Sequence, residues 1–159
     1  MPPEIAPAPA PAPGTTDTCD VAVIGAGAAG LATAIFAASS KPRRSEAPPR
    51  VLLLDSSKLP GAGGGAKILV SGGGRCNVTH DVVTPDDYHG HRPIVRNILA
   101  AFSVQQTIDW FASLGVTLKR ESTGKLFPTT DNAHTVLNAL TRRCDDLGIT
   151  RLADHRVTE

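Results

Sequence analysis

The residues of this chain that most directly imply chemistry are Gly25-Ala26-Gly27-Ala28-Ala29-Gly30. In a G-x-G-x-x-G turn each glycine has its own mechanical duty. Gly25 makes the tight turn, Gly27 lets the backbone approach a pyrophosphate, and Gly30 lets a helix sit close against a strand. The orphan amides at the start of that helix, on Ala28, Ala29 and Gly30, lie at the positive end of its dipole and hold phosphates. Asp55, 25 residues beyond Gly30 and followed by Ser56, is placed to accept hydrogen bonds from ribose hydroxyls, and its charge disfavours a 2′-phosphate. A glycine motif used only for helix packing, with Asp55 as a surface acid, is the plainer alternative. The nucleotide reading is favoured because a strand precedes the motif, a helix follows it, and a second strand ends in the acid.

A second constellation is Ser71-Gly72-Gly73-Gly74-Arg75-Cys76-Asn77, preceded by Lys67-Ile68-Leu69-Val70. Three successive glycines allow main-chain amides to converge on an anion. Arg75 is suited to clamp a phosphate or carboxylate, and Asn77 both donates and accepts. Cys76, next to this cation, is expected to favour the thiolate. A flexible glycine loop with a buried cysteine accounts for the same residues almost as well.

The elements that must position these groups are legible in outline. Cys19–Ile24 and Arg50–Asp55 are short β-branched or leucine runs that read as buried parallel strands. Between them Ala28–Ser39 is a helix of small and apolar residues, and 41–49 is a polar, proline-studded loop. Strand, helix, strand without a hairpin turn is a right-handed βαβ unit. Pro93–Gly115 reads as helix in two pieces, broken at Ser103-Val104-Gln105-Gln106, a capping box. Val116–Lys119 and Lys125–Phe127 flank Glu121-Ser122-Thr123-Gly124 and read as an inserted β-hairpin. Thr130 or Asp131 is expected to cap a helix over 133–147 that ends at Gly148, and Ile149–Leu152 is a third parallel strand. The expected fold class is therefore α/β, a Rossmann-type parallel sheet with helices on both faces, over residues 18–159. Residues 1–17, with their Pro/Ala alternation, read as an extended, disordered tail.

Composition narrows the function classes. The chain has 159 residues, with 16 Lys+Arg against 15 Asp+Glu, so no charge excess argues for nucleic-acid or membrane-surface partners. No apolar run reaches the roughly 18 residues of a spanning helix. The start lacks the basic and apolar regions of a secretory signal. Three scattered cysteines do not make a disulfide framework, so a soluble protein of a reducing compartment, the cytoplasm, is expected, of unspecified oligomeric state. His89-Gly90-His91 lacks further ligands at metal-site spacing, and His80, His134 and His155 are isolated; no metal site is expected. Trp110 and Phe111, with Ile108 and Leu114, fit a core-facing helix stripe. Cys76 lacks a CxxC partner, which excludes a dithiol redox cycle, and Cys19 and Cys144 read as packing residues.

GAGAAGLATA, VLLLD, KILVSGGGRCNVTH and LFPTTDNAHTVLNAL, in this order, resemble the BaiN/YhiN-like FAD-dependent oxidoreductases over about residues 18–159. The resemblance implies an FAD-binding Rossmann-type domain, with NAD(P)H as a candidate electron donor and an unsaturated or carbonyl compound as substrate. It implies that Gly25, Gly27, Gly30 and Asp55 hold the ADP portion of FAD. It places the segment carrying Lys67, Gly72, Gly73, Gly74, Arg75, Cys76 and Asn77 alongside the flavin, and the backbone of Val157 against the adenine. Family members are more than twice as long, so the chain reads as an N-terminal portion. Two departures stand out: Gly61–Ala66 is longer than the family's segment, and Ala66 stands where an arginine is usual. The rival functions are an NAD-binding dehydrogenase domain and a non-catalytic nucleotide-binding module.

Overall fold

The structure, a computed structural model, describes residues 18–40, 47–57 and 65–158. The proposed tail, most of the 41–49 loop and residues 61–64 of the first glycine cluster lie outside the described residues.

A parallel sheet carries the glycine turn. Strand β1 (Val21–Ile24) leads through that turn into helix α1 (Ala28–Ser39), which returns the chain to β2 (Val51–Leu54). The last strand, β6 (Thr150–Leu152), lies on the other side of β2, giving the order β1-β2-β6 with all pairs parallel. The register sets Val21 and Val23 beside Val51 and Leu53 on one face. That face meets α1 through Leu31 and Ile35, and α5 (Ala133–Asp146) completes the same core with Val136, Leu137, Leu140 and Cys144. Burying such side chains contributes about 1.5–3 kcal/mol each, so this layer is what fixes the βαβ geometry.

One expectation changes here. Helices were expected on both faces, because VAVI and VLLL read as strands buried on each side. Among the described residues, helices cover only the Val23–Leu53 face. On the opposite face Ala22 is exposed, Ile24 is 68% exposed, and Leu52 and Leu54 are half-buried. A hydrophobic run records only that side chains are apolar, not which of them find a neighbour.

Between β2 and β6 the chain inserts a second layer. Helix α2 spans Ala66–Gly74 but is broken at Ser71, which is extended (φ −62°, ψ 144°). A 3₁₀ turn (Pro85–Asp87) and helices α3 (Arg92–Ala101) and α4 (Val104–Ser113) follow. The α3–α4 break falls at Ser103, whose hydroxyl accepts from the Gln106 amide while the Gln106 side chain accepts from the Ser103 amide. Ser103→Ala should therefore lower stability by about 1 kcal/mol, read as a shift in the urea midpoint at unchanged slope. The expected hairpin is present as β4 (Leu118–Arg120) and β5 (Lys125–Pro128). It is joined by a two-residue strand that the pattern missed, β3 (Thr79–His80), giving the antiparallel order β3-β5-β4. The cap of α5 also differs: Asn132, not Thr130 or Asp131, accepts from the His134 amide. Asp131 instead takes a left-handed conformation (φ 52°) and pairs with Lys119. No described helix is long and apolar enough to cross a membrane.

Candidate functional site

The carboxyl ends of β1, β2 and β6 converge on the glycine turn. The Gly25 amide donates to Leu54 O (2.7 Å), and the Asp55 amide donates to Leu152 O (2.9 Å). Gly25 sits at φ +94°, open to glycine at little cost. Gly30 has no room for a side chain, since a Cβ there would stand 1.7 Å from the Gly25 carbonyl oxygen. Gly27 is the opposite case. A Cβ on it would meet nothing within 4 Å, so the turn presents bare backbone to open space on that side.

The first amide of α1 to return to a carbonyl is that of Leu31, to Gly27 O (2.9 Å). No side chain caps the helix, which leaves the Ala28, Ala29 and Gly30 amides ahead of its first hydrogen bond. Asp55 faces this turn directly: its Oδ2 accepts from the Ala26 amide (2.6 Å) and its Oδ1 from the Ser57 amide (2.8 Å). Burial raises the Asp55 pKa, but hydrogen bonding from Ser57 and from the Ala26 amide outweighs it and holds the carboxyl below its usual range. The acid is therefore ionised at neutral pH, with lone pairs to spare for hydroxyl donors.

Ser56 is exposed beside it, and Ser57, half-buried, turns toward the Asp55 carboxylate. The segment after β6 folds onto this strand tip, with the Asp154 amide donating to Ser57 O and the His155 amide to Asp55 O (both 2.9 Å). Two residues on, Val157 is 48% exposed. Gly25, Gly27, Ala28, Ala29, Gly30, Asp55, Ser56 and Val157 thus belong to one end of one sheet.

The second constellation is built on the other layer. After Ser71, Gly72, Gly73 and Gly74 all take positive φ, and the Arg75 and Cys76 amides both return to Ser71 O. Gly72 packs on the Phe127 ring, while Gly73 is open. Arg75, expected to await an external anion, is already engaged. It lies over the Phe127 ring (4.0 Å to the centroid), donates from Nε to Gly72 O (3.3 Å) and pairs through Nη1 with Glu121. Asp131 Oδ1 lies 3.6 Å from the same nitrogen. The guanidinium thus fastens the triglycine turn to the hairpin, a role invisible locally because Glu121 is 46 residues away. Lys67 is exposed, and Asn77 and Lys125 line a cleft of about 370 Å³ with Arg75 and Glu121.

Cys76 is the second correction. Its backbone is left-handed (φ 64°), its side chain is 6% exposed, and burial pushes the thiol pKa up, opposed only in part by a hydrogen bond with Ser71. The adjacent cation does not favour a thiolate because it is turned toward Glu121. Cys144 is fully buried, and its pKa is pushed up to about 11, chiefly by burial. At pH 8 the native chain should alkylate first at half-buried Cys19, with Cys144 reacting about 100-fold more slowly than in urea, as read by mass spectrometry over time.

His80 ties the two halves of the hairpin layer, with Nε2 2.7 Å from Thr123 O and Nδ1 2.8 Å from Asp81 Oδ1. No group of three or more metal-ligating side chains comes together among the described residues.

A family model described as HI0933-like protein Rossmann domain matches residues 19–159. The chain is 37% identical over 121 residues to a 3-dehydro-bile acid delta(4,6)-reductase of Clostridium scindens, covering 76% of this chain and 27% of that protein. It is 36% identical over 132 residues to the ribosomal RNA dihydrouridine synthase of Escherichia coli, covering 82% of this chain and 30% of that one. The synthase of the same name from Haemophilus influenzae is 33% identical over 138 residues, 86% and 31% of the two chains. Less than a third of each relative's length is therefore spanned. Among solved structures, Thermovibrio ammonificans THI4 superposes with a TM-score of 0.50 at 15% identity, over 85% of this chain and 38% of that one, a likeness of fold.

Proposed function

This chain belongs to the HI0933-like Rossmann-domain family, and from that premise we propose that it forms the FAD-binding part of a cytoplasmic flavoprotein oxidoreductase. In this reading it serves the NAD(P)H-linked reduction of an unsaturated or carbonyl small molecule. The observation that supports the reading is the 2.6 Å hydrogen bond from the Ala26 amide to Asp55 Oδ2, which brings the acid at the β2 tip and the glycine turn together. The residues present fit the group. Bare backbone at Gly27, amides at the α1 start with no partner among the described residues and an ionised carboxylate are what a dinucleotide's phosphates and sugar require.

Bound FAD supplies hydride chemistry through its isoalloxazine ring. The chain's own part is to bind and orient. The Ala28, Ala29 and Gly30 amides neutralise the diphosphate, and Asp55 keeps its remaining lone pairs for ribose hydroxyls. The exposed backbone around Val157 borders the adenine. Lys67, Gly73 and Asn77 are the residues we assign to the flavin, and Arg75 holds the triglycine turn beside them in place by gripping Glu121. The relatives' names, a delta(4,6)-reductase and dihydrouridine synthases, both describe adding hydrogen across a ring double bond, which favours the unsaturated substrate over the carbonyl one.

Titration of the chain with FAD, followed by quenching of flavin fluorescence, should saturate. Gly27→Ala should melt like the parent, since its Cβ meets nothing, yet bind FAD about 100-fold more weakly. Binding of NADH in preference to FAD supports the dehydrogenase reading instead, and equal FAD affinity in Gly27→Ala removes the glycine turn from the site. Bound FAD without NAD(P)H-dependent dye reduction supports the non-catalytic module. Reduction of uridine in ribosomal RNA in place of small enones would move the substrate class to RNA.

A further inference from the structure

Helices α1, α4 and α5 end beside one another, at Ser39, Ser113 and Asp146, and these three residues border a cleft of about 490 Å³. The cleft lies at the far end of α1 from the glycine turn and shares no residue with it. Part of its wall is aromatic: Phe36 stacks on Trp110 (centroids 5.2 Å, planes 19° apart) and remains 46% exposed, with Leu114 beside them, while Ser39 and Ser113 make another part polar. Its rim carries Arg142 and Arg143, and neither guanidinium has a partner among the described residues. Asp146 is the one carboxylate on the same rim.

Three converging helix carboxyl ends concentrate partial negative charge, which accounts for cations being placed there. It does not account for a cleft of small-molecule size with an exposed aromatic pair in its wall, for such sites typically run to about 300–1,000 Å³. The geometry points to a second ligand site, separate from the nucleotide turn, that takes a monocarboxylate with a compact apolar body. The body lies against Phe36, Trp110 and Leu114, where displacing water from the rings stabilises the complex. The carboxylate meets the arginine pair, whose planar forks match its two oxygens.

Trp110 is the only tryptophan in the sequence, so its emission reports on this cleft directly. Octanoate, which is transparent where tryptophan emits, is the probe, with octylammonium and octan-1-ol as matched controls. Octanoate should change the Trp110 emission saturably. Both controls should bind about tenfold more weakly, and the double variant Arg142→Gln, Arg143→Gln should lose affinity for octanoate by about the same factor. Glutamine keeps the helix propensity, and an unchanged melting curve of the free variant verifies its fold. No saturable response up to roughly 10 mM octanoate (an affinity weaker than any built site) assigns the arginines to the helix ends alone and overturns the proposal. So does a response that octan-1-ol matches, or one the double variant retains in full.

Discussion

Gly30→Ala is expected to destabilise the chain by about 3 kcal/mol and to abolish dinucleotide binding with it, as measured by urea unfolding and by FAD titration of the folded fraction. The cause is a single contact. A methyl group at residue 30 would lie 1.7 Å from the Gly25 carbonyl oxygen and 2.9 Å from its carbon, both of them backbone atoms that cannot swing aside. Relief requires α1 to move off β1, which opens the layer where Leu31 and Ile35 meet Val23. It also moves the unpaired amides away from the turn. Gly30→Ala and Gly27→Ala thus separate two duties that the sequence writes with the same letter: the first harms folding and binding together, the second binding alone. A Gly30→Ala chain as stable as the parent would mean that α1 does not ride on the glycine turn as described.

The next largest effect is expected at Asp55. Asp55→Ala removes the acceptor from two part-buried amides, those of Ala26 and Ser57, and should cost about 2 kcal/mol of stability. The same variant should weaken FAD binding by about 100-fold through loss of the ribose acceptor. The carboxyl's pKa is lower folded than unfolded, so its contribution is complete above the unfolded value of about 3.9 and is lost as pH falls through the folded value. Parent and Asp55→Ala stabilities should therefore differ at pH 7 and draw together toward pH 2, in unfolding series run at several pH values. A difference that stays constant through the acid range would mean that the charge plays no part.

The nucleotide turn was legible in the sequence because its requirements are backbone requirements. Glycine at residues 25, 27 and 30 answers to positive φ, open approach and close packing in turn, and nothing distant has to be known to see it. The capping box at Ser103 was legible for the same reason, since donor and acceptor lie within one helical turn. Arg75 was not, because the partner that decides it is Glu121, on a hairpin whose register no local spacing reveals, and Cys76 was not, because its state is set by burial in the packed core. Strand β3, two residues long, is held by pairing with Leu126 and Lys125 and by His80 reaching Thr123, so it leaves no periodic trace. The choice of Asn132 over its two neighbours as the α5 cap follows from Asp131 being drawn to Lys119, again a contact between distant residues.

Ile24 and Leu54 stand bonded through the main chain to Gly25 and Asp55, the two residues that frame the crevice proposed for the diphosphate, on the sheet face that no described helix covers. Shelter given to those two side chains would stiffen the crevice from beneath. A filled crevice would, by thermodynamic reciprocity, make that shelter more tightly held.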